Sequence, residues 1–222
     1  MLDAIGEVLP AAAGVALSPF PIIAIVLVLS TPRGNANGVA FVAGWLVGLT
    51  ALAALLYGIA AAVDDPGSET SAAVAWIKVA VGVALLALAA KKWRTRPRDG
   101  EQPHTPQWMA SIDRIEPLRA IGLGAALGGA NPKNIAFTLS ATTSISELGL
   151  SGRGGAFSTG AYVLLASLTV VIPVLAHLAL GRRISPSLDS LKQFMLTNNA
   201  VIMMVILIVL GAKVLGDGLG GL

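Results

Sequence analysis

The chain has 222 residues, of which 55% are hydrophobic and only 12% charged, and its mean hydropathy is +0.78. That is more apolar surface than a soluble core of this size can bury, so the surrounding solvent is lipid and a soluble globular fold is excluded. There is no cysteine, which removes disulfides, thiolate metal sites and cysteine nucleophiles, and the net charge of +3 is read as membrane topology, not as nucleic-acid binding.

Apolar runs of about 20 residues, enough to cross roughly 30 Å of hydrocarbon, predict six transmembrane helices. They are expected at residues 4 to 30, 38 to 63, 72 to 90, 119 to 145, 155 to 180 and 195 to 216. The first is expected to be a span and not a cleaved signal peptide, because Asp3 and Glu7 replace a basic leader and the run is too long. Residues 1–222 therefore read as a single all-α integral membrane domain. It divides into repeat one (1–92), a basic loop (91–118) and repeat two (119–222).

The connecting segments alternate in charge. Arg33 follows span one, and Asp64, Asp65 and Glu69 follow span two. Lys91, Lys92, Arg94, Arg96, Arg98, Arg114 and Arg119 surround the third loop; Glu147 and Arg153 flank the fourth, and Arg182, Arg183 and Lys192 the fifth. Cytoplasmic loops are enriched in Lys and Arg, which makes the odd loops cytoplasmic and puts both termini outside. One, seven and three basic residues, 11 of the 15, then face the cytoplasm of a bacterial inner membrane. In the third loop Pro97, Pro103 and Pro106 mark an irregular stretch. Beyond it, Trp108, Met109, Ile112, Ile115 and Leu118 recur at helical steps, fitting either a short amphipathic helix on the inner leaflet or an ordinary solvated linker.

Each half carries a proline break followed by Ala-Phe-x-x-Gly. Phe41 comes 22 residues after Pro19, and Phe157 comes 25 after Pro132. With three spans per half, two such copies are inverted relative to each other in the membrane, the arrangement of many secondary transporters. Spans one and four, entering from opposite sides, are then both broken near the midplane, at Ser18-Pro19-Phe20-Pro21 and at Asn131-Pro132-Lys133-Asn134, and the breaks are expected to meet.

A broken helix at that depth frees backbone groups in a medium without water, so it must be buried in protein or line a wet cavity. Lys133 is the sharpest signal: a midplane cation costs several kcal/mol on insertion scales and is retained for a task. It binds substrate on one reading and caps a broken-helix carbonyl on the other. Asn131, Asn134 and Thr138 share its helix as one polar stripe. No Asp or Glu lies mid-span, so no metal site is expected, and a lysine beside freed amides suits an anionic carboxylate, phosphate or sulfate group.

Other polar positions have plainer readings. Lys78 beside Trp76 fits a snorkelling interface residue. His177, near Pro173 in span five, is either a proton-coupling group or a packed histidine, and Thr197, Asn198 and Asn199 are expected to start span six as a cap. Gly44 with Gly48, and Gly124 with Gly128, predict close helix contacts. No catalytic triad, zinc motif or nucleotide fingerprint is found, so neither an enzyme nor a cofactor is expected.

The proline-broken first span and the mid-span Asn131-Pro132-Lys133 resemble the lysine-exporter (LysE) superfamily, whose amino-acid exporters carry a similar Asn-Pro-Lys in the fourth span. Three motifs look more specifically like the GAP family, the actinobacterial peptidoglycolipid-addressing group that includes the sulfolipid-addressing, Sap-like proteins. They are Ala16-Leu17-Ser18-Pro19-Phe20-Pro21-Ile22, Ala43-Gly44-Trp45 and Gly129-Ala130-Asn131-Pro132-Lys133-Asn134. The resemblance spans nearly the whole chain and implies translocation across the cytoplasmic membrane, with relatives associated with delivering glycolipids to the envelope. By position it carries over Ser18, Pro19, Pro21, Asn131, Pro132, Lys133 and Asn134. The first-span motif departs from that of the amino-acid exporters, which argues against an amino acid as cargo.

The expected function is a LysE-type secondary transporter, or exporter, that moves an anionic small molecule or glycolipid by rocking one repeat against the other. A non-transporting scaffold for an envelope-lipid synthesis or export complex is the rival, its basic third loop docking a partner or anionic lipid. Expected partners are membrane lipids, the anionic substrate and lipid-export machinery; small residues on several helix faces also permit a homodimer. Because the chain has no cysteine, introduced ones report orientation directly. Glu69→Cys should react with an impermeant maleimide on intact cells and Arg98→Cys only after lysis; the reverse pattern would overturn the orientation.

Overall fold

The computed structural model describes residues 2–63, 72–94, 112, 115–150 and 152–222. Among these residues the chain is helical throughout. In order the helices are α1 (Leu2–Ala16), α2 (Pro19–Leu29), α3 (Gly34–Val63), α4 (Ala72–Arg94), α5 (Pro117–Gly129), α6 (Pro132–Glu147), α7 (Gly152–Leu180) and α8 (Ser185–Gly220), and a 3₁₀ turn at Gly181–Ile184 leads into α8. A pair of short helices separated by a two-residue break is followed by two long ones, and the same succession then recurs.

Three helices, α3, α7 and α8, are long and apolar enough to cross a membrane, and α1 with α2, bent by 55° at their junction, form a fourth candidate. The remaining two spans expected from the sequence fall on α4, 23 residues long, and on the pair α5 and α6. Val47, Leu55, Leu164 and Ile172 point outward, exposed. Helices apolar all round in this way are placed in lipid, not in water.

The core lies where α1, α3, α6 and α7 converge, around Trp45, Tyr162, Phe41 and Phe137. Its buried indole N–H donates to Ser167 Oγ at 3.0 Å, tying α3 to α7. Hydrophobic transfer does little to hold helices together in lipid, so association rests on close packing. The closest seam is α3 on α5. A Cβ added at Gly124 would overlap the carbonyl oxygen of Phe41, and one at Gly44 would overlap that of Ile121. The two small-residue pairs singled out in the sequence thus face each other, each letting the partner backbone in. Likewise α4 lies along α8, where a Cβ at Gly218 would come 2.7 Å from Val79 N.

One expectation changes. Thr197, Asn198 and Asn199 do not cap span six: α8 starts at Ser185, twelve residues earlier than Thr197, so they lie inside a continuous helix. Asn198 instead donates to the Phe194 carbonyl at 2.9 Å. The amphipathic segment expected in the third loop lies mostly outside the described residues. Of it, Ile112 is buried in the main core, while Leu118 belongs to α5 and is 79% exposed.

Gly124→Leu should therefore push α3 and α5 apart and destabilise the protein by about 1–3 kcal/mol, the usual cost of overpacking. Gly122→Ala, with nothing within 4 Å of its added carbon, should be neutral or stabilising. Thermal unfolding in detergent checks the contrast, and equal melting of the two variants would contradict this packing.

Candidate functional site

Both breaks are built alike. Ser18 and Asn131 are the N-caps of α2 and α6, each in extended backbone (φ −68°, ψ 116° and φ −74°, ψ 120°), and each is followed by a proline at the start of the helix. A proline there loses no hydrogen bond and its fixed φ suits a first turn. Pro19 and Pro132 therefore restart helices rather than kink them, while Asn131 Oδ1 accepts the Lys133 backbone N–H at 3.0 Å. Ser18 makes no side-chain cap bond and is buried with Pro19 and Pro21.

The unpaired groups are the carbonyls at the ends of α1 and α5. At the first break, Lys133 Nζ donates to the Gly14 carbonyl at 2.5 Å and Thr169 Oγ1 to that of Ala16 at 2.5 Å. At the second, Asn134 Nδ2 donates to the carbonyls of Leu127 (2.9 Å) and Gly128 (3.0 Å). Thus Lys133, from the second break, reaches the first, and the two breaks meet as expected. The ammonium also lies 5.5 Å from the centre of the Phe137 ring, a cation–π distance. A Cβ at Gly14 would overlap that same ring, so glycine is what allows Phe137 and Lys133 to sit against the end of α1.

Lys133 thus makes the carbonyl-capping contact that was one of its two readings. An ammonium has three donors and Gly14 takes one, and the side chain is only part-buried, so capping leaves room for a second partner. Asn134 is fully buried, and its Oδ1 has no partner. Thr138 is occupied by a 2.9 Å hydrogen bond with the Tyr162 hydroxyl, which attaches α6 to α7.

His177 lies elsewhere. It is in the last turn of α7, 9% exposed, with Nδ1 buried and unpartnered. It lines a cavity of about 640 Å³ beside the α2–α3 turn, together with Thr31, Arg33, Asn35, Ser185 and Asp189. The predicted residues therefore divide between the joined breaks and this cavity at the far end of α2. Sequence reading missed Gly14, Phe137, Tyr162 and Thr169. Tyr162 and Thr169 are seven residues apart, hence on one face of α7, and a polar pair on one face of an apolar span is a readable signal.

A bundle of apolar helices with two joined breaks and a cation between them defines a polytopic helical membrane protein with a polar centre. A family model, "Sap, sulfolipid-1-addressing protein", matches residues 8–220, and the chain belongs to that family. No curated protein and no solved structure matches it.

Asn134→Leu removes the donor shared by a buried and a part-buried carbonyl and should cost about 1–3 kcal/mol, the penalty for buried groups left unsatisfied. Thr143→Val, whose hydroxyl bonds only within its own helix on the exposed side, should cost little. Denaturation in mixed detergent compares them, and equal stability would show that the carbonyls find other partners.

Proposed function

We propose that this protein is a secondary transporter of the LysE type that moves an anionic small molecule or glycolipid across the cytoplasmic membrane. Lys133 is the ligand of the anionic group. The single observation that carries this reading is the Lys133 ammonium bridging the two helix breaks, where exchange of a carbonyl for an anion would loosen one repeat from the other. Asn131, Pro132 and Asn134 shape the α6 side of the site, Thr138 anchors it to α7, and Ser18, Pro19 and Pro21 shape the α2 side.

Inverted-repeat rocking draws support from the pairing of elements. α3 packs on α5 as α7 packs on α1, so each long helix following a break lies against the first half of the other repeat's broken pair. Such crossed pairing suits a pseudo-twofold arrangement with alternating access. The family name concerns a sulfolipid, and an anionic lipid head is the cargo chemistry a part-buried lysine between apolar helices would favour. No carboxylate lies among the residues at the joined breaks, so coupling to protons falls to Lys133 or His177.

Deleting the gene should leave an anionic envelope lipid on the inner side. Wild type and Lys133→Arg should restore its surface fraction, and Lys133→Met, at matched expression and melting temperature, should leave it at the deletion level. Full restoration by Lys133→Met would sink the transporter reading and favour a scaffold that docks an export complex.

A further inference from the structure

The cavity at the α2–α3 turn has no part in the arrangement around Lys133, because the 11 residues of α2, about 16 Å of helix, separate it from the first break. Its walls come from two stretches of the chain, residues 29–36 and 177–189. Thr31 and Arg33 come from the turn, Asn35 and Ala36 from the first turn of α3, and His177, Ser185 and Asp189 from the junction of α7 and α8.

The chemistry of these walls is mixed in a particular way. Arg33 is exposed at the rim and offers a planar fork of donors suited to phosphate or sulfate. Behind it, Gly34 N–H is bonded to Thr31 O and Asn37 N–H to Arg33 O, while the amides of Asn35 and Ala36 lie between them, in the turn where intrahelical partners are lacking. An oxyanion is favoured at such a helix start. The independent sign of a missing partner is His177. This ring is nine-tenths buried, lines the cavity, and leaves Nδ1 with nothing to bond, a condition that costs free energy unless a ligand or water completes it.

Among the described residues Asp189 is the one carboxylate on the wall, and Lys192 Nζ holds it at 2.8 Å. A carboxylate so neutralised repels an anion little and accepts hydroxyl protons, as do the side chains of Asn35 and Ser185. A volume of about 640 Å³ lies in the range of small-molecule pockets and holds far more than a bare ion.

We infer that this cavity is a second binding site, distinct from the joined breaks, for an acidic head group that carries both an oxyanion and hydroxyls. Arg33 and the first turn of α3 take the oxyanion, His177 makes a further hydrogen bond, and Asn35, Ser185 and Asp189 meet the hydroxyls. The inference deepens the transport reading, on which it rests for the class of cargo: the head is held at the membrane surface before it reaches Lys133.

The full chain in phosphatidylcholine nanodiscs is titrated with dioctanoyl phosphatidylinositol by calorimetry, then in competition with inorganic phosphate. Wild type should bind the lipid. Arg33→Gln and His177→Leu, each checked for unchanged melting, should each weaken binding about tenfold or more, the scale of a lost charge-assisted contact. Arg33→Lys should fall between. Displacement by inorganic phosphate would support the site with a soluble anion as a sufficient ligand, whereas lipid binding that phosphate fails to displace would support it with the lipid head as the ligand. Equal affinity in wild type, Arg33→Gln and His177→Leu would overturn the inference. Lys133→Met should lose only binding at the breaks and keep the component that Arg33→Gln and His177→Leu remove. Were it to abolish binding while Arg33→Gln did not, the cavity would be discarded and the site at the breaks kept.

Discussion

Hydrocarbon supplies no hydrogen bonds, so every carbonyl freed by a broken helix must be met by the protein itself. That constraint organises this molecule. Two interruptions, at Ser18-Pro19 and Asn131-Pro132, leave the ends of α1 and α5 open, and side-chain donors close them: the distant Lys133 and Thr169 at one, the nearby Asn134 at the other. Because a donor for the first break comes from the helix restarted at the second, the breaks cannot be separated without uncovering the Gly14 carbonyl. A local need for hydrogen bonds thus becomes a tertiary tie between the halves.

The tie requires the helices to come unusually close, and glycine provides for that. Gly14 opens the end of α1 to Phe137 and Lys133, and Gly44 and Gly124 bring α3 and α5 into backbone contact. Apolar side chains then face lipid on the outside of the bundle, while hydroxyls and amides gather inside. The proposed function rests on the imbalance left at the centre: an ammonium with one carbonyl partner for its three donors, and Asn134 Oδ1 with no partner among the described residues. A packed, fully satisfied core would have no reason to exchange partners.

Much of this could be read in the chain beforehand, for physical reasons particular to membranes. Long apolar runs can do little but span lipid, and α3, α7 and α8 answer to three of those runs. Proline beside serine or asparagine marks a restart wherever it falls, so both breaks were legible, as was the glycine seam. The destination of Lys133 was legible only as a choice between capping and binding, because its carbonyl partner lies 119 residues away. Thr169 escaped notice for the same reason, its partner Ala16 being 153 residues distant. Asn198 misled because polar residues near a span's end look like a cap, yet the helix already runs from Ser185 through them. The cavity around His177 was invisible, since it is made where two distant segments, 29–36 and 177–189, converge.

The most direct test of the central claim is to ask what Lys133 holds. Wild type, Lys133→Arg and Lys133→Met would be extracted from their own membrane in polymer-bounded discs, and the lipids retained by each identified by mass spectrometry. An anionic lipid enriched with wild type and Lys133→Arg but depleted with Lys133→Met is the predicted result. The same lipids retained by all three would mean that the lysine serves only to cap the end of α1, and the account of a central anion site would be wrong.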